Sequence, residues 1–445
     1  MIESFFFIIL LLFLLLLIVV LNFVFQFDWF EPSIIMTSTM FLSVLLAYFS
    51  MNKWCYNISS ITFFAISLGY FSFFLGSIYI FFVLKNSIVK TNSYSYNNIQ
   101  FFDNNIMLFC LSVFMIILAI FSFKEIYNLS LSLNKHDGFF GIIKTVRYAL
   151  ERQEINFSRY MIYRFLIAKV ISYTFLYIFC FKIFFDSFKF QNLKFLIPCA
   201  LFIPFIIFTT GRMDLMKFLI FVTVIIAILY KRKYGLFFKR NIKLNLLLFI
   251  FASIFLSMFF VFGHFTGKII TKTRSPFTIL SHYGGLSIPA LDIVLNESFI
   301  ENEYIGQNTL ANVYRIVRKF DSSAPNVKYF LPFVNFKNIS TNVYTAISRY
   351  IKDFGYLGMM VIMFMLAIIY TFFYHKSINE KGHIITLLYA TLSFPLFLSS
   401  IDERFLLDIF GMPLVYDIVL FYVADKFIIR QYIKQKINHK VIETI

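Results

Sequence analysis

The sequence is poor in charge and in the residues that bend a chain. Only 14% of its 445 residues are Asp, Glu, Lys or Arg, and it holds 15 glycines and 9 prolines. A typical soluble domain is about a quarter charged, so this composition excludes an ordinary water-soluble globular protein. The mean hydropathy of +0.79 and the 60% apolar content indicate a membrane protein instead.

The sequence also lacks the motifs that are typical of several kinds of chemistry. The cysteines are scattered in or beside apolar runs without CxxC spacing, so neither a disulfide framework nor a metal site is predicted; they are Cys55, Cys110, Cys180 and Cys199. An HExxH motif, a Walker-type glycine loop and a G-x-S-x-G motif are all absent. We therefore expect no metal and no nucleotide cofactor.

Long apolar runs dominate what is present. A helix needs about 20 apolar residues to cross a bilayer, and only helices and closed barrels can do so. The alternation typical of a transmembrane barrel is missing. The sequence thus predicts an all-α polytopic membrane protein with about 11 transmembrane helices (10–12 fit) and one large extracytoplasmic loop. The predicted spans are 4–27, 33–50, 61–84, 106–123, 161–185, 195–210, 214–230, 244–262, 354–373, 384–400 and 405–424.

These runs divide the chain into four parts. Residues 1–262 form the N-terminal helices, with a basic loop near 124–160, and 263–353 form the large loop. The C-terminal helices occupy 354–424, and a basic tail predicted to be cytoplasmic occupies 425–445. The net charge of +17 is typical of Lys and Arg in loops that face anionic lipid, so we predict membrane lipid rather than nucleic acid as its partner.

Orientation follows from these basic residues. Residues 231–243 carry six Lys or Arg and no acid, so this loop and the tail are predicted to be cytoplasmic and 263–353 to face outward. The segment 124–164, with seven basic and four acidic residues, is ambiguous. Its charge indicates the cytoplasm, whereas counting spans back from 231 places it outside. A re-entrant run, a miscounted span or a basic outer loop would each explain this. We expect the basic outer loop, because it suits an enzyme that handles anionic lipid-linked substrates.

The sequence TTGRMDLMKFL, residues 209–219, lies where one apolar run ends and the next begins. Gly211 permits a tight turn, and the Arg212 guanidinium is a planar cation suited to phosphate oxygens. The start of the following helix adds backbone N–H groups. Alternatively, Arg212 pairs with Asp214 and marks the membrane boundary, while Lys217 is spaced to pair with Asp214.

The large loop contains further residues with chemical capacity. Arg274 is a second candidate for phosphate binding. His282 is a candidate general base, since histidine titrates near neutral pH, although a lone histidine in a loop is more often a hydrogen-bonding surface residue. Its neighbour Tyr283 could stack on a sugar ring. The following IPALDIVL is spaced like a short amphipathic helix on the membrane surface.

The loop closes with NVYTAISRYIKDFGYLG, residues 342–358. Arg349 and Asp353 are four residues apart and therefore share a helix face where the chain re-enters the membrane. Tyr344 is a second candidate for stacking on sugar. The same residue types also anchor a span at the lipid headgroups, which is the alternative interpretation.

Together these features resemble bacterial O-antigen and oligosaccharide repeat-unit polymerases of the Wzy type. The resemblance rests on Thr210-Gly211-Arg212 before a span, a basic inner loop, and a large outer loop. That loop contains HYGGLSIPALD and closes with Asn342–Thr345 and Asp353-Phe-Gly355. The likeness covers about 195–375 and is only architectural elsewhere.

The resemblance implies an enzyme of the bacterial inner membrane that joins oligosaccharide units carried on undecaprenyl pyrophosphate. The growing chain leaves its pyrophosphate and is attached to a sugar hydroxyl of the incoming unit, without a nucleotide sugar or a metal. A chain-length regulator and a flippase are the expected partners. Arg212, Arg274 and Arg349 would then bind the pyrophosphate, and His282 or Asp353 would act as the base.

Two other classes of function remain open. One is an O-antigen ligase, which shares the plan of an arginine after a glycine plus a large outer loop, or another lipid-linked-sugar glycosyltransferase. A polysaccharide flippase or other transporter is less favoured, because such proteins usually consist of two related halves and no internal symmetry is visible here.

Overall fold

A computed structural model describes most of the chain. It covers residues 4–90, 99–133, 138–235, 275–296, 303–327, 332–379 and 382–435, apart from 153, 187, 210, 211 and 338. Between 236 and 274 only positions 242, 246 and 253 are described. The predicted span at 244–262 therefore lies almost wholly outside the described residues.

The N-terminal half is a series of long helices. They are α1 Phe5–Val24, α2 Pro32–Trp54, α3 Ser60–Lys90, α4 Asn105–Ser132, α5 Gly138–Glu151, α6 Arg159–Phe185, a 3-10 helix Phe190–Leu196 that runs into α7 Ile197–Phe208, and α8 Arg212–Tyr234. A short strand β1, Ile99–Phe101, precedes α4.

The C-terminal half contains one very long helix and several short ones. They are α9 Pro276–Leu280, a π-helical turn Ser281–Gly285, α10 Ser287–Asn296, α11 Ala311–Val317, the strands β2 Val334–Phe336 and β3 Ile339–Thr341, α12 Ala346–Asn379, α13 His383–Leu392, α14 Phe394–Leu398, α15 Phe405–Ile409, α16 Met412–Ala424, a π-helical turn Asp425–Ile429, α17 Arg430–Tyr432 and β4 Ile433–Gln435.

Within the described residues, nine helical segments are long and apolar enough to cross a membrane. The chain is thus an all-α, multi-pass membrane protein, as predicted. Eight of the nine coincide with predicted spans. The predicted spans 384–400 and 405–424 are instead broken into shorter helices. At the break between α15 and α16 the chain passes close to the preceding turn, since a Cβ on Gly411 would lie 2.9 Å from the Leu407 carbonyl oxygen.

The ninth segment, Phe277–Asn296, differs from the amphipathic surface helix that the sequence predicts. Every residue from Ser287 to Val294 is buried, so these two turns of α10 present no face to solvent, and only the end of the helix at Asn296 is exposed. The preceding π-helical turn packs Gly285 against α2, where a Cβ would lie 2.9 Å from the backbone nitrogen of Ala47. Asp292 then fixes the segment by accepting hydrogen bonds from Ser59, at 2.7 Å from its backbone nitrogen and 2.6 Å from its hydroxyl.

The packing of α3 against α12 defines the two ends of the helical bundle. The helices run parallel, because Gly69 contacts Ile347 near the start of α12 and Gly76 contacts Ala367 further along. A Cβ at Gly76 would lie 2.5 Å from the Phe364 carbonyl oxygen, so only glycine permits this approach. We refer to the end where α12 begins as the Ala346 end and to the other as the Asn379 end.

The basic segment near 124–160 lies at the Ala346 end, together with the described parts of the large loop. Helix α5 packs through Ile142 and Val146 on Ile126 of α4 and on Phe208, the last residue of α7. This is the arrangement expected if 124–160 is an outer loop. The long helices α1, α2, α3, α4, α6, α7 and α8 then alternate in direction, with α5 lying between α4 and α6 at the Ala346 end.

The Asn379 end is closed by buried polar contacts and a small sheet. Lys231 near the end of α8 contacts Asp28 and Tyr374, and Glu31 lies 3.3 Å from His375. Strand β1 pairs antiparallel with β4, so the described start of the basic tail lies at this end too.

This arrangement predicts which positions share a side of the membrane. In a background without the native cysteines, single cysteines replacing Lys144 of α5 and Ser322 of the large loop should react with an impermeant thiol reagent in intact spheroplasts. A cysteine replacing Gln431 of α17 should react only after the membrane is permeabilised. Labelling of 322 but not 144 in intact cells would contradict the fold described here.

Candidate functional site

The start of α12 anchors the described part of the large loop. The Ala346 backbone N–H donates to the Ser399 carbonyl oxygen at 2.9 Å, which joins the loop to the turn before α15. Tyr344 is buried, and its hydroxyl donates to the Pro332 carbonyl oxygen at 2.7 Å. Burial raises the pKa of Tyr344 to about 12. Its ring is therefore part of the loop's packing in this structure.

Helix α12 bends sharply at Gly355, nine residues after it begins. Gly355 has a φ of +67°, a left-handed conformation that glycine adopts without the steric cost of a Cβ. The short segment before the bend carries both Arg349 and Asp353. Because of the bend, this segment has its own direction relative to the long apolar part of the helix.

Arg349 is a buried cation, only 5% exposed. Its guanidinium donates to the Asn308 carbonyl oxygen at 3.1 Å and lies 3.5 Å from a carboxylate oxygen of Asp402. Charges this deep in a membrane protein are costly and usually functional. Arg349 therefore connects the large loop to the turn at 399–404, two regions that are distant in sequence.

Asp353 holds the neighbouring loop backbone. Its carboxylate accepts hydrogen bonds from the backbone and side chain of Asn308, at 3.1 and 2.8 Å, and from the backbone and hydroxyl of Thr309, at 2.8 and 2.7 Å. A carboxylate bound in this way is well suited to positioning a loop. Its predicted role as a base remains a prediction.

Glu403 is a fully buried carboxyl group, although it lies in a short charged turn between α14 and α15. It accepts hydrogen bonds from the Tyr350 hydroxyl at 2.9 Å and from the Leu406 backbone nitrogen at 2.7 Å. Burial raises its pKa to about 7, against the opposing effect of these donors and of Arg349. Glu403 thereby fixes the first turn of α15.

A cavity of about 120 Å³ lies beside α15, between helices that converge from the Ala346 end. The residues that line it are Lys169, Tyr173, Lys217, Asn312, Thr391, Leu392, Leu407, Asp408, Gly411, Pro413, Leu414 and Asp417. They come from α6, α8, α11, α13, α15 and α16 and from the break at Gly411. Lys217 and Lys169 are five and ten residues into their helices, or roughly 8 and 15 Å along the helix axes.

Four charges face this cavity in two pairs. The Lys169 Nζ lies 2.5 Å from an Asp417 carboxylate oxygen, and the Lys217 Nζ lies 3.9 Å from Asp408. Lys217 thus pairs with Asp408 across the cavity, whereas the sequence suggested the local Asp214 as its partner. Charges inside otherwise apolar runs are the signal that could have revealed this site from the sequence.

The remaining predicted site residues are not brought together with these charges. His282 and Tyr283 lie in the π-helical turn, half-buried, with their ring centroids 5.7 Å apart. This turn packs on α2, and neither residue is part of the cavity lining. Such π-turns occur frequently at functional sites, and the roles predicted for His282 and Tyr283 remain predictions.

The two leading arginine candidates have no described side chain. Arg212 is the first residue of α8, at the Ala346 end, and only its backbone is described. Arg274 lies outside the described residues. In the part of the chain that the structure covers, no three His, Cys, Asp or Glu side chains converge to hold a metal ion.

Comparisons with known proteins give no identification. No family model, no curated protein and no solved structure matches the chain.

The buried Glu403 predicts a pH-dependent stability. Its carboxyl is protonated up to about pH 7 in the folded protein, but it ionises near 4.5 once exposed. The folded state therefore binds more protons between these values, and stability falls as pH rises through this window. The loss should reach about 3 kcal/mol, measured by unfolding in detergent between pH 4.5 and 8.

Glu403→Gln should flatten this pH dependence, because the amide does not ionise. Glu303→Gln, at an exposed position in the large loop, serves as the matched control and should keep the wild-type slope. An unchanged slope in Glu403→Gln would show that other groups cause the effect.

Proposed function

We propose that the protein polymerises undecaprenyl-pyrophosphate-linked oligosaccharide repeat units into a surface polysaccharide. The reaction takes place at the outer face of the bacterial inner membrane. The observation that carries this proposal is the charged cavity at the Ala346 end, enclosed by membrane helices and adjoined by a loop rich in basic residues. The distribution of Lys and Arg predicts that this end faces outward.

A cavity at the membrane surface suits a substrate with a lipid part and a polar part. The lipid chain stays in the bilayer, while its sugars reach polar groups just inside the protein. The lining includes Lys, Asp, Asn and Thr side chains, which can donate and accept hydrogen bonds to hydroxyl groups. An apolar bundle keeps such a group of charges only at a free-energy cost, which supports a functional role.

The chemical step needs cations for the leaving group. When the growing chain leaves its carrier, negative charge develops on the lipid pyrophosphate, and fixed positive groups stabilise this charge. Among the three candidate arginines, Arg349 is the one whose side chain the structure describes. Its guanidinium also lies 3.5 Å from a carboxylate oxygen of Asp402. Arg212 and Arg274 are the further candidates, carried over from the resemblance.

Deletion of the gene distinguishes this function from its alternatives. We expect the ladder of long surface polysaccharide on a gel to disappear while a band with a single repeat unit remains. Loss of every attached glycan, the single unit included, would instead indicate a ligase or an earlier step. Accumulation of lipid-linked units on the inner leaflet alone would indicate a flippase.

Arginine substitutions test the pyrophosphate site. Arg212→Ala and Arg274→Ala should each lower polymerisation by about 100-fold at equal expression, the effect typical of removing one group that stabilises developing negative charge. Arg318→Ala, an exposed arginine of the same loop, is the matched control and should keep the ladder. If Arg212→Ala and Arg274→Ala both retain a normal ladder, these residues do not bind the pyrophosphate.

A further inference from the structure

The cavity beside α15 is balanced in charge, and this limits what it can bind. Lys169 and Lys217 contribute two positive charges, and Asp408 and Asp417 contribute two negative ones. A pyrophosphate in this space would bring its negative charges close to both carboxylates, where repulsion in a poorly solvated site is strong. The cavity therefore favours a neutral polar ligand over the anionic end of a lipid-linked substrate.

Its size and lining indicate which neutral ligand. A volume of about 120 Å³ equals that of roughly four water molecules in the liquid, so the cavity can take at most one sugar ring and is too small for several. Asn312 donates to the Leu407 carbonyl oxygen at 2.7 Å, and Thr391 donates to Leu387 at 2.8 Å. These bonds orient the amide and hydroxyl groups, so the lining offers ordered donors and acceptors to a ring that carries several hydroxyls.

The two carboxylates of the cavity differ in how closely a lysine holds each of them. Asp417 is held by Lys169 at 2.5 and 2.7 Å, and its side chain is only 7% exposed. Asp408 is 29% exposed, and its distance to the Lys217 Nζ is 3.9 Å. That distance is too long for a direct hydrogen bond, so Asp408 can still accept one from a ligand.

The position of Asp408 is fixed from both sides. The Asp408 backbone nitrogen donates to the Arg404 carbonyl oxygen at 3.1 Å, and its own carbonyl accepts from Gly411 at 3.2 Å. Glu403 holds the start of the same short helix. Lys217, the partner of Asp408, is positioned as well. Its Nζ lies 5.2 Å from the centre of the Phe394 ring, a distance that permits a cation–π interaction.

We propose that this cavity binds the acceptor sugar of the incoming repeat unit and that Asp408 accepts the proton of the attacking hydroxyl. This inference rests on the proposed function. The hydroxyl oxygen forms a bond to the anomeric carbon of the growing chain as its proton passes to the Asp408 carboxylate. The bond from that carbon to the pyrophosphate breaks, and its electron pair leaves with the pyrophosphate. Asp408 then releases the proton to water, and no oxidant or reductant is needed.

The first test measures turnover. Lipid-linked repeat units that accumulate in the deletion strain serve as the substrate for purified protein in nanodiscs. Asp408→Asn should lower kcat at least 100-fold, the scale of a lost general base, while KM changes less than threefold. In Asp408→Ala, added formate should restore part of the rate, because it supplies a carboxylate to the cavity.

Asp321→Asn is the matched control. Asp321 is exposed in the large loop and accepts hydrogen bonds from Ser323, so its substitution should leave turnover unchanged. Melting temperatures of all variants, with Asp408→Glu as a second substitution, separate a lost base from a lost fold. Wild-type turnover in correctly folded Asp408→Asn would overturn the proposed role of Asp408.

The second test measures binding without polymerisation. Repeat-unit oligosaccharide, freed from its lipid by mild acid, should bind wild-type protein in saturation-transfer NMR, and inorganic pyrophosphate should not displace it. Thr391→Phe, which fills the cavity, should abolish this binding. Displacement by pyrophosphate, or full binding to Thr391→Phe, would overturn the sugar subsite.

The two tests separate this inference from the proposed function. Polymerisation by wild-type protein together with full activity of Asp408→Asn would leave the function standing and reject the inference. Conversely, oligosaccharide binding that Thr391→Phe abolishes, in a protein that makes no polymer from the accumulated units, would support the sugar subsite and reject the polymerase.

Discussion

The structure depends on one constraint, which is that a charge inside an apolar helical bundle must have a partner. An unpaired ion in such surroundings is strongly unfavourable, and removing one member of a buried pair typically costs about 3–5 kcal/mol. Three such charges have ionic partners from distant parts of the chain. Lys231 meets Asp28, Arg349 meets Asp402, and Lys169 meets Asp417. These pairs define which helix ends can lie together.

The two ends of the bundle satisfy this constraint differently. At the Asn379 end, Lys231 is enclosed by Asp28 and Tyr374 and is only 2% exposed. At the Ala346 end, the pair of Lys217 and Asp408 is separated by 3.9 Å and borders an open space. A loosely held pair can exchange its partner for a ligand at low cost, whereas an enclosed pair cannot. Function is therefore expected at the Ala346 end.

This difference also explains which features of the structure can be predicted from the sequence alone. Hydropathy predicts eight of the nine long apolar segments of the described residues, because each one is determined by about 20 neighbouring residues. The pairing of Lys217 with Asp408, 191 residues later, depends on tertiary packing and leaves no local pattern. Sequence reasoning therefore paired Lys217 with the nearby Asp214 and did not select Asp408. The buried helix at 287–296 was misjudged for a related reason, since its environment is set by α2 and α3 rather than by its own composition.

A charge-balanced cavity beside a basic loop matches the requirements of the proposed reaction. One substrate reacts through a neutral hydroxyl, and the other loses an anionic pyrophosphate. A single site with strong positive charge would bind the pyrophosphate of either lipid-linked unit and would not discriminate between donor and acceptor. Separate surroundings, with paired charges for the sugar and the candidate arginines for the pyrophosphate, would allow the protein to hold both units in distinct roles. The direction of chain growth would then follow from electrostatics, because only the unit whose sugar enters the balanced cavity can supply the attacking hydroxyl.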